Sequence, residues 1–392
     1  MSRDLLLVAI SLFTWGIGEG MFFFFQPLYL QYWGASPVEI GAILSVAGIA
    51  MALVQIPAGH LSDRFGPQYV MKASWVQGLL STLVMAFSTT LQGFVVGLVL
   101  YSMTMYVSGP MNAYISRARG KVPLARAMTI NSAAFNSGAI LGPLLGGILG
   151  SRIGLMPILR VAAVIFLIST SVIVFIRPHP VERETGHAFA GGRLIHNRRF
   201  LAFLPLAFLT VLAAYLPQPL TPNFLENQGG LSLETIGQLT SLGSLSNVIM
   251  LLLGGGVSAK VGVWIGQAML GVYALLLWQG TSAAWYWVAY SFLGGYRLLR
   301  VMTAAFARPL VPSGQIGLAF SMLETVNAAA VVVAPLTAGF LYNRNPHWVY
   351  AVALILIALS LMANLAVFPR LQHQPAVEQP APVELDTEKE TL

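Results

Sequence analysis

Four ionisable side chains lie inside long apolar runs of this chain: Glu19, Arg297, Arg300 and Glu324. A charge in hydrocarbon is expensive, so each is expected to face a wet cavity or a partner of opposite sign. Trp15, Glu19, Phe22 and Gln26 share one helical face by their i, i+4, i+7 spacing, and the flanking Gly18 and Gly20 leave room around the carboxylate. A carboxyl in that setting, dry in one state and wetted in another, can take up and release a proton. Arg297 stands eleven residues from both Tyr286 and Arg308, which puts it about 16 Å from either end of its helix. Arg300 follows one turn on, and Glu324 lies near mid-depth of the next run with Asn327 a turn beyond. Two uses of this group stand open. The guanidiniums hold an anion, or one of them is balanced by Glu324 as an ion pair.

Asn131, Asn136 and Asn247, with Tyr101, Tyr215, Gln218 and Tyr296, are further polar groups within apolar runs. Each either lines a binding cavity or bridges two helices. Enzyme chemistry has little to work with. There is no cysteine, so neither a disulfide framework nor a thiolate metal site can form. All six histidines fall in predicted loops or the tail, and the intramembrane carboxylates have no nucleophile or metal partner. No nucleotide-binding loop of the G-x-x-x-x-G-K-[ST] type is found. The expectation is a protein that is not an enzyme and has no metal and no cofactor.

The elements that carry these residues follow from composition. Hydrophobic residues make up 56% of the 392 and charged residues 9%, far below the roughly 25% charged of soluble domains. The charges fall between apolar runs of about 20 residues, the length at which a helix crosses a bilayer. Twelve such runs are counted: Leu5 to Gln31, Glu39 to Leu61, Ala73 to Thr89, Gln92 to Ile115, Ala127 to Leu149, Leu155 to Ile176, Phe200 to Leu225, Leu233 to Ser258, Val263 to Gly280, Ala284 to Ala307, Gln315 to Tyr342 and Trp348 to Phe368. The loop after the second is drawn from Ser62 to Lys72. The first run is too long for a cleavable leader and has no small-residue cleavage site. A polar segment at 177–199 divides the chain into six-helix units at 1–176 and 200–370, and the tail at 371–392, rich in Pro, Glu and Gln, is expected to be disordered.

Net charge is +7, but its distribution argues for membrane topology and against nucleic acid. Sixteen of the 21 Lys and Arg fall on the side of the N-terminus and three on the opposite side. By the positive-inside rule both termini and the central linker are cytoplasmic, in the inner (plasma) membrane.

The chain is also internally repeated. Gly59-His60-Leu61-Ser62-Asp63-Arg64-Phe65-Gly66 returns 196 residues later as Gly255-Gly256-Val257-Ser258-Ala259-Lys260-Val261-Gly262, and Ile40-Gly41 returns at the same offset as Ile236-Gly237. Gly142-Pro143-Leu144-Leu145-Gly146-Gly147 is matched, 192 residues on, by Ala334-Pro335-Leu336-Thr337-Ala338-Gly339. Two halves of like topology usually hold a substrate site at their interface, near the bilayer midplane.

Two of these motifs carry a family resemblance. The Gly59 to Gly66 stretch resembles the loop between the second and third spans of the major facilitator superfamily, although Pro67-Gln68-Tyr69 stands where that family has further basic residues. Gly138-x-x-x-Gly142-Pro143-x-x-Gly146-Gly147 resembles the motif of that family's drug and proton antiporters, although Tyr101 stands in the region where that branch has an arginine. The resemblance implies an all-α integral membrane protein of twelve transmembrane helices in two six-helix bundles related by a pseudo-twofold axis. It also implies a conformational latch at Gly59, Asp63, Arg64 and Gly66, one-sided because Ala259 takes the place of Asp63 in the repeat.

Glycines at this spacing let a neighbouring helix approach closely, which reads either as plain packing or as a seal between halves. The function expected is secondary active transport by alternating access: proton-coupled export of small amphipathic organic molecules by a monomer, with Glu19 and Glu324 in proton coupling. A carrier of an anionic solute, or a non-transporting membrane sensor on the same fold, are the other readings.

Overall fold

The computed structural model describes residues 1–178, 197–312 and 315–372. Most of the 177–199 linker and nearly all of the 371–392 tail lie outside the described residues.

Among the described residues all regular structure is helical. The helices are α1 (Arg3–Phe22), α2 (Gln26–Tyr32), α3 (Pro37–Phe65), α4 (Pro67–Phe87), α5 (Leu91–Met103), α6 (Ser108–Ala118), α7 (Leu124–Ile153) and α8 (Leu155–Val174) in the first half. The second half holds α9 (Arg198–Tyr215), α10 (Thr221–Asn227), α11 (Leu233–Gly254), α12 (Ala259–Gln279), α13 (Ala283–Ser291), α14 (Gly295–Ala307), α15 (Ile316–Arg344) and α16 (Trp348–Gln372). Eleven helical segments among the described residues are long and apolar enough to cross a membrane. The twelfth expected span is α13 with α14, which a turn at Phe292, Leu293 and Gly294 divides into pieces too short to cross alone.

Local chemistry sets the ends. Ser2, Ser36, Thr90 and Ser232 cap helices by accepting a backbone N–H bond, and Ser36 with Glu39 forms a complete capping box. The loop expected from Ser62 to Lys72 shrinks to one residue. Gly66 has φ +97°, a conformation that a side chain strains, so α3 stops and α4 begins within a single position. As a result Lys72 lies inside α4, and His60, counted with the loop histidines although the second run reaches Leu61, is helical. Charge does not break a helix by itself, which is why the loop drawn from charge alone is too long.

Breaks inside spans recur in equivalent places. A 3-10 turn at Phe23–Phe25 separates α1 from α2, and a turn at 216–220 separates α9 from α10, so the helix expected to run to Leu225 ends at Tyr215. Another 3-10 turn, at Thr104–Val107, divides α5 from α6 as the turn at Phe292 divides α13 from α14. Paired interruptions of this kind are what an inherited repeat leaves behind.

Within the first half α7 packs on α1 along its glycines. A side chain at Gly138 would strike Ile17 N at 2.8 Å, at Gly142 Gly20 Cα at 2.6 Å, and at Gly146 Met21 Cα at 2.9 Å. Gly18 and Gly20, expected to leave room around Glu19, are filled instead. A Cβ at Gly18 would meet the Phe166 ring at 3.2 Å, and one at Gly20 would meet Pro143 Cδ at 2.8 Å.

The halves meet at two corners, α7 with α11 and α3 with α15. A Cβ at Gly147 would lie 3.0 Å from Gly237 Cα, and one at Gly339 would lie 3.3 Å from Gly41 Cα. The α7 motif is therefore both a packing face and part of the junction between halves. Both corners lie toward the side of the membrane opposite the N-terminus, the far side. Gln31 of α2 reinforces them there: its Nε2 donates to Glu226 Oε2 and to Asn227 Oδ1, each at 3.1 Å, while its Oε1 accepts from Asn223 at 2.7 Å and Asn227 at 2.8 Å. At the other end of α3, a Cβ at Gly59 would meet nothing within 4 Å, and Asp63 and Arg64 are exposed.

Candidate substrate cavity

Between the halves lies a cavity of about 460 Å³. Helices α1, α4, α6 and α7, with the turn at Thr104–Val107, supply most of its wall, and the second half contributes Ser244, Asn247 and Arg297. Of the expected site residues it brings together Trp15, Glu19, Asn131, Asn136, Asn247 and Arg297.

Glu19 is held by its own helix and by aromatic neighbours. Trp15, one turn back, donates its indole N–H to Glu19 Oε2 at 2.9 Å. The indole lies against Trp75 and Phe166, with ring centroids 5.0 and 4.4 Å away, and in the space that Gly78 of α4 leaves by having no side chain. Tyr101 stacks on Trp15 at 6.2 Å and meets Phe22 edge-on at 4.8 Å. Its hydroxyl lies close to the Glu19 carboxylate but makes no hydrogen bond of regular geometry. The carboxylate thus sits at the rim of an aromatic box and opens on the cavity.

Arg297 projects from the third residue of α14, and no hydrogen bond or ion pair joins it to another described residue. Two amide oxygens in the wall are likewise unmet: Asn131 Oδ1, whose Nδ2 is tied to Ala127 O at 2.8 Å, and Asn247 Oδ1. Asn136 gives its Nδ2 to Ser132 O at 2.7 Å.

Arg300, Glu324, Asn327, Tyr215, Tyr296 and Gln218 belong to the C-terminal half and do not line this cavity, although Arg300, Tyr296 and Glu324 lie close enough to Arg297 to act on its charge. Arg300 Nη2 meets Glu324 Oε2 at 2.6 Å, and Asn327 donates to Glu324 Oε1 at 3.3 Å. Of the two arginines, then, Arg300 carries the ion pair. The Tyr215 and Tyr296 rings pack at a tilt with centroids 5.7 Å apart, and Gln218 donates to Ala214 O at 2.8 Å. Gln26 does not continue the Glu19 face: the 3-10 turn intervenes, and the side chain is buried with Nε2 unpartnered. Asp63 of the expected latch has no ion pair or hydrogen bond among the described residues, and Arg64 rests over the Phe65 ring at 5.2 Å. Trp75, Ser74, Thr104, Phe135 and Ser244 line the cavity without having been singled out from the sequence. Their residue types fit span interiors equally well, and only Trp75, a large polar-tipped ring in mid-span, carried a signal. No group of three or more His, Cys, Asp or Glu among the described residues could hold a metal.

Comparison with known proteins bears on this arrangement. The sequence model of the Major Facilitator Superfamily matches residues 8–297. The chain is 22% identical over 367 residues to multidrug resistance protein 2 of Bacillus subtilis strain 168, covering 89% of this chain and 91% of that one. It is 29% identical over 156 residues to an uncharacterized MFS-type transporter of Methanocaldococcus jannaschii, where the match spans 40% of each chain. Among solved structures, the nucleoside transporter NupG superposes with a TM-score of 0.80 at 14% identity, covering 95% of this chain and 100% of that one. At that identity the likeness speaks for the fold alone.

Proposed function

Because this chain belongs to the major facilitator superfamily and is a multi-pass membrane transporter, we propose that it exports small amphipathic organic molecules by alternating access, in exchange for protons. The protein acts as a monomer in the inner membrane with both termini cytoplasmic. Its units are 1–176 and 200–370, and the conformation with the far side closed is inward-open.

The observation that carries this reading is the Glu19 carboxylate at the wall of a cavity between the halves, bonded to Trp15, with Arg297 lining the same space. When the cavity is open the group is wetted and exchanges its proton with water; when the halves close over it, that exchange stops. The aromatic and methionine lining suits apolar ligand surface. The relative from B. subtilis, named for multidrug resistance, favours export of such molecules. Asp63, unpaired here, forms its latch in the opposite, outward-open state, and Glu324 serves coupling through its pair with Arg300.

A second reading, a carrier for an anionic solute, is favoured by the unpaired Arg297. Arg300 is held by Glu324 and adds little to it.

Reconstituted vesicles test the proposal. Glu19→Gln is expected to abolish uptake driven by a proton gradient while substrate exchange persists. Gradient-driven transport at full rate in that variant would overturn it.

A further inference from the structure

The cavity presents opposite charges from opposite halves. Glu19 stands on α1 of the first half and Arg297 on α14 of the second, and both border the same space of about 460 Å³. Arg300, the other arginine of α14, is neutralised by Glu324 at 2.6 Å. Glu19 has a neutral donor, the Trp15 indole, and Arg297 makes no hydrogen bond or ion pair among the described residues. The two unmet amide oxygens, Asn131 Oδ1 and Asn247 Oδ1, are buried and add no further charge.

A ligand must answer this pattern or leave one of its charges dry and unpaired, which is unfavourable for any buried lone ion. A simple anion would satisfy Arg297 and leave the Glu19 carboxylate without a counter-charge. A simple cation would do the reverse. A molecule with an N–H-bearing cation at one end and a carboxylate, or similar anion, at the other meets Glu19 with one pole and Arg297 with the other. Trp15, Trp75, Phe135, Met111 and Met128 supply apolar wall for a flat middle.

Resting on the reading of this cavity as the transport site, we propose that its substrates are zwitterionic amphiphiles, bound with the cation at Glu19 and the anion at Arg297. Such a ligand bridges the halves. Its binding draws the walls together, so occupancy itself favours closure of the cavity, whereas a singly charged ligand holds only one half.

A matched set of probes tests this: 4′-(aminomethyl)biphenyl-4-carboxylic acid, its methyl ester, its N-acetyl derivative, and the compound blocked at both ends. The same four forms of 4-(aminomethyl)benzoic acid provide a shorter spacing. Thermal stability of the purified full-length protein is read against probe concentration, since a ligand of the native state raises Tm by mass action. For at least one spacing the zwitterion is expected to act at concentrations at least tenfold below either singly blocked form. Arg297→Gln should reduce the zwitterion to the level of the ester, and Glu19→Gln to the level of the N-acetyl derivative. Arg297→Lys, which keeps the charge, should retain the preference. Equal potency of a singly blocked or doubly blocked form in both series, or no response to any of the eight, overturns the proposal. The transport reading fails separately: in that case the zwitterion stabilises the protein with the stated dependence, yet reconstituted vesicles do not carry it.

Discussion

Gly41 of α3 lies against the backbone carbonyl of Pro335 in α15, with no room between them for a side chain. The same contact is made again at the other corner, where Gly237 of α11 meets the carbonyl of Pro143 in α7. Gly41 and Gly237 are repeat partners at the offset of 196, Pro143 and Pro335 at 192, so the pseudo-twofold axis is visible at the level of single atoms.

The first prediction follows from that fit. Gly41→Ala and Gly237→Ala each force a methyl into a backbone contact and should cost the far-side junction about 1–3 kcal/mol, the usual range for overpacking. The conformers open on the far side should gain accordingly. The chain has no cysteine, so a single Ser132→Cys in the cavity wall can be labelled without background. Each alanine variant is expected to speed labelling of that cysteine from the far side, and an unchanged rate would count against the junction as the closing surface.

Most of this architecture was legible because it rests on long-period features: apolar runs set the spans, and the repeat offsets set the pairing of corners. What escaped was short-range. The breaks at Phe23–Phe25 and at Phe292–Gly294 carry no internal proline to announce them, since a turn within an apolar run is fixed by packing and by the neighbours that receive its freed backbone groups. The Gln31 clamp also escaped, although a signal existed. Gln31 bonds Asn227, which stands 196 residues on, and two repeat-equivalent polar residues can touch only near the symmetry axis. In the cavity, Glu19 and Arg297 stood out by charge alone, whereas the distinction between Arg297 and Arg300 depended on where α15 puts Glu324, which no spacing within α14 reveals.

The ion pair yields the second prediction. Arg300→Gln and Glu324→Gln should each lower stability by leaving a charge unmatched, while the double substitution should cost less than the sum. The coupling expected is about 0.5–3 kcal/mol, toward the lower end because the Glu324 side chain is 60% exposed. A thermal-unfolding cycle on the purified protein gives this quantity directly. Strict additivity would mean that the pair carries no energy.

The third prediction concerns pH at the far side. Burial raises Glu226 above its usual carboxyl value of 4.5, with the bond from Gln31 opposing the rise, and the Tyr342 hydroxyl stands near the same group. A raised value means that the folded clamp binds more protons than the open one. Its contribution is therefore full below about pH 4.5 and is lost as pH climbs through the raised value. Acidification should favour far-side closure, read as slower far-side labelling of the same cavity cysteine. Glu226→Gln should flatten that response, and a variant with the wild-type pH profile would exclude Glu226 as its source.

The two glycine corners have one more consequence, a mechanical one. While the far-side junction stays closed, each corner holds the partner helices together yet lets them pivot on bare backbone, because the facing prolines and glycines meet there at close range. A body pinned at two points keeps one free rotation, about the line that joins them. The halves are thereby left with a single hinge line at the far side, so that any widening of the opposite mouth is one coordinated swing of the whole six-helix unit, with no independent bending of separate helices needed.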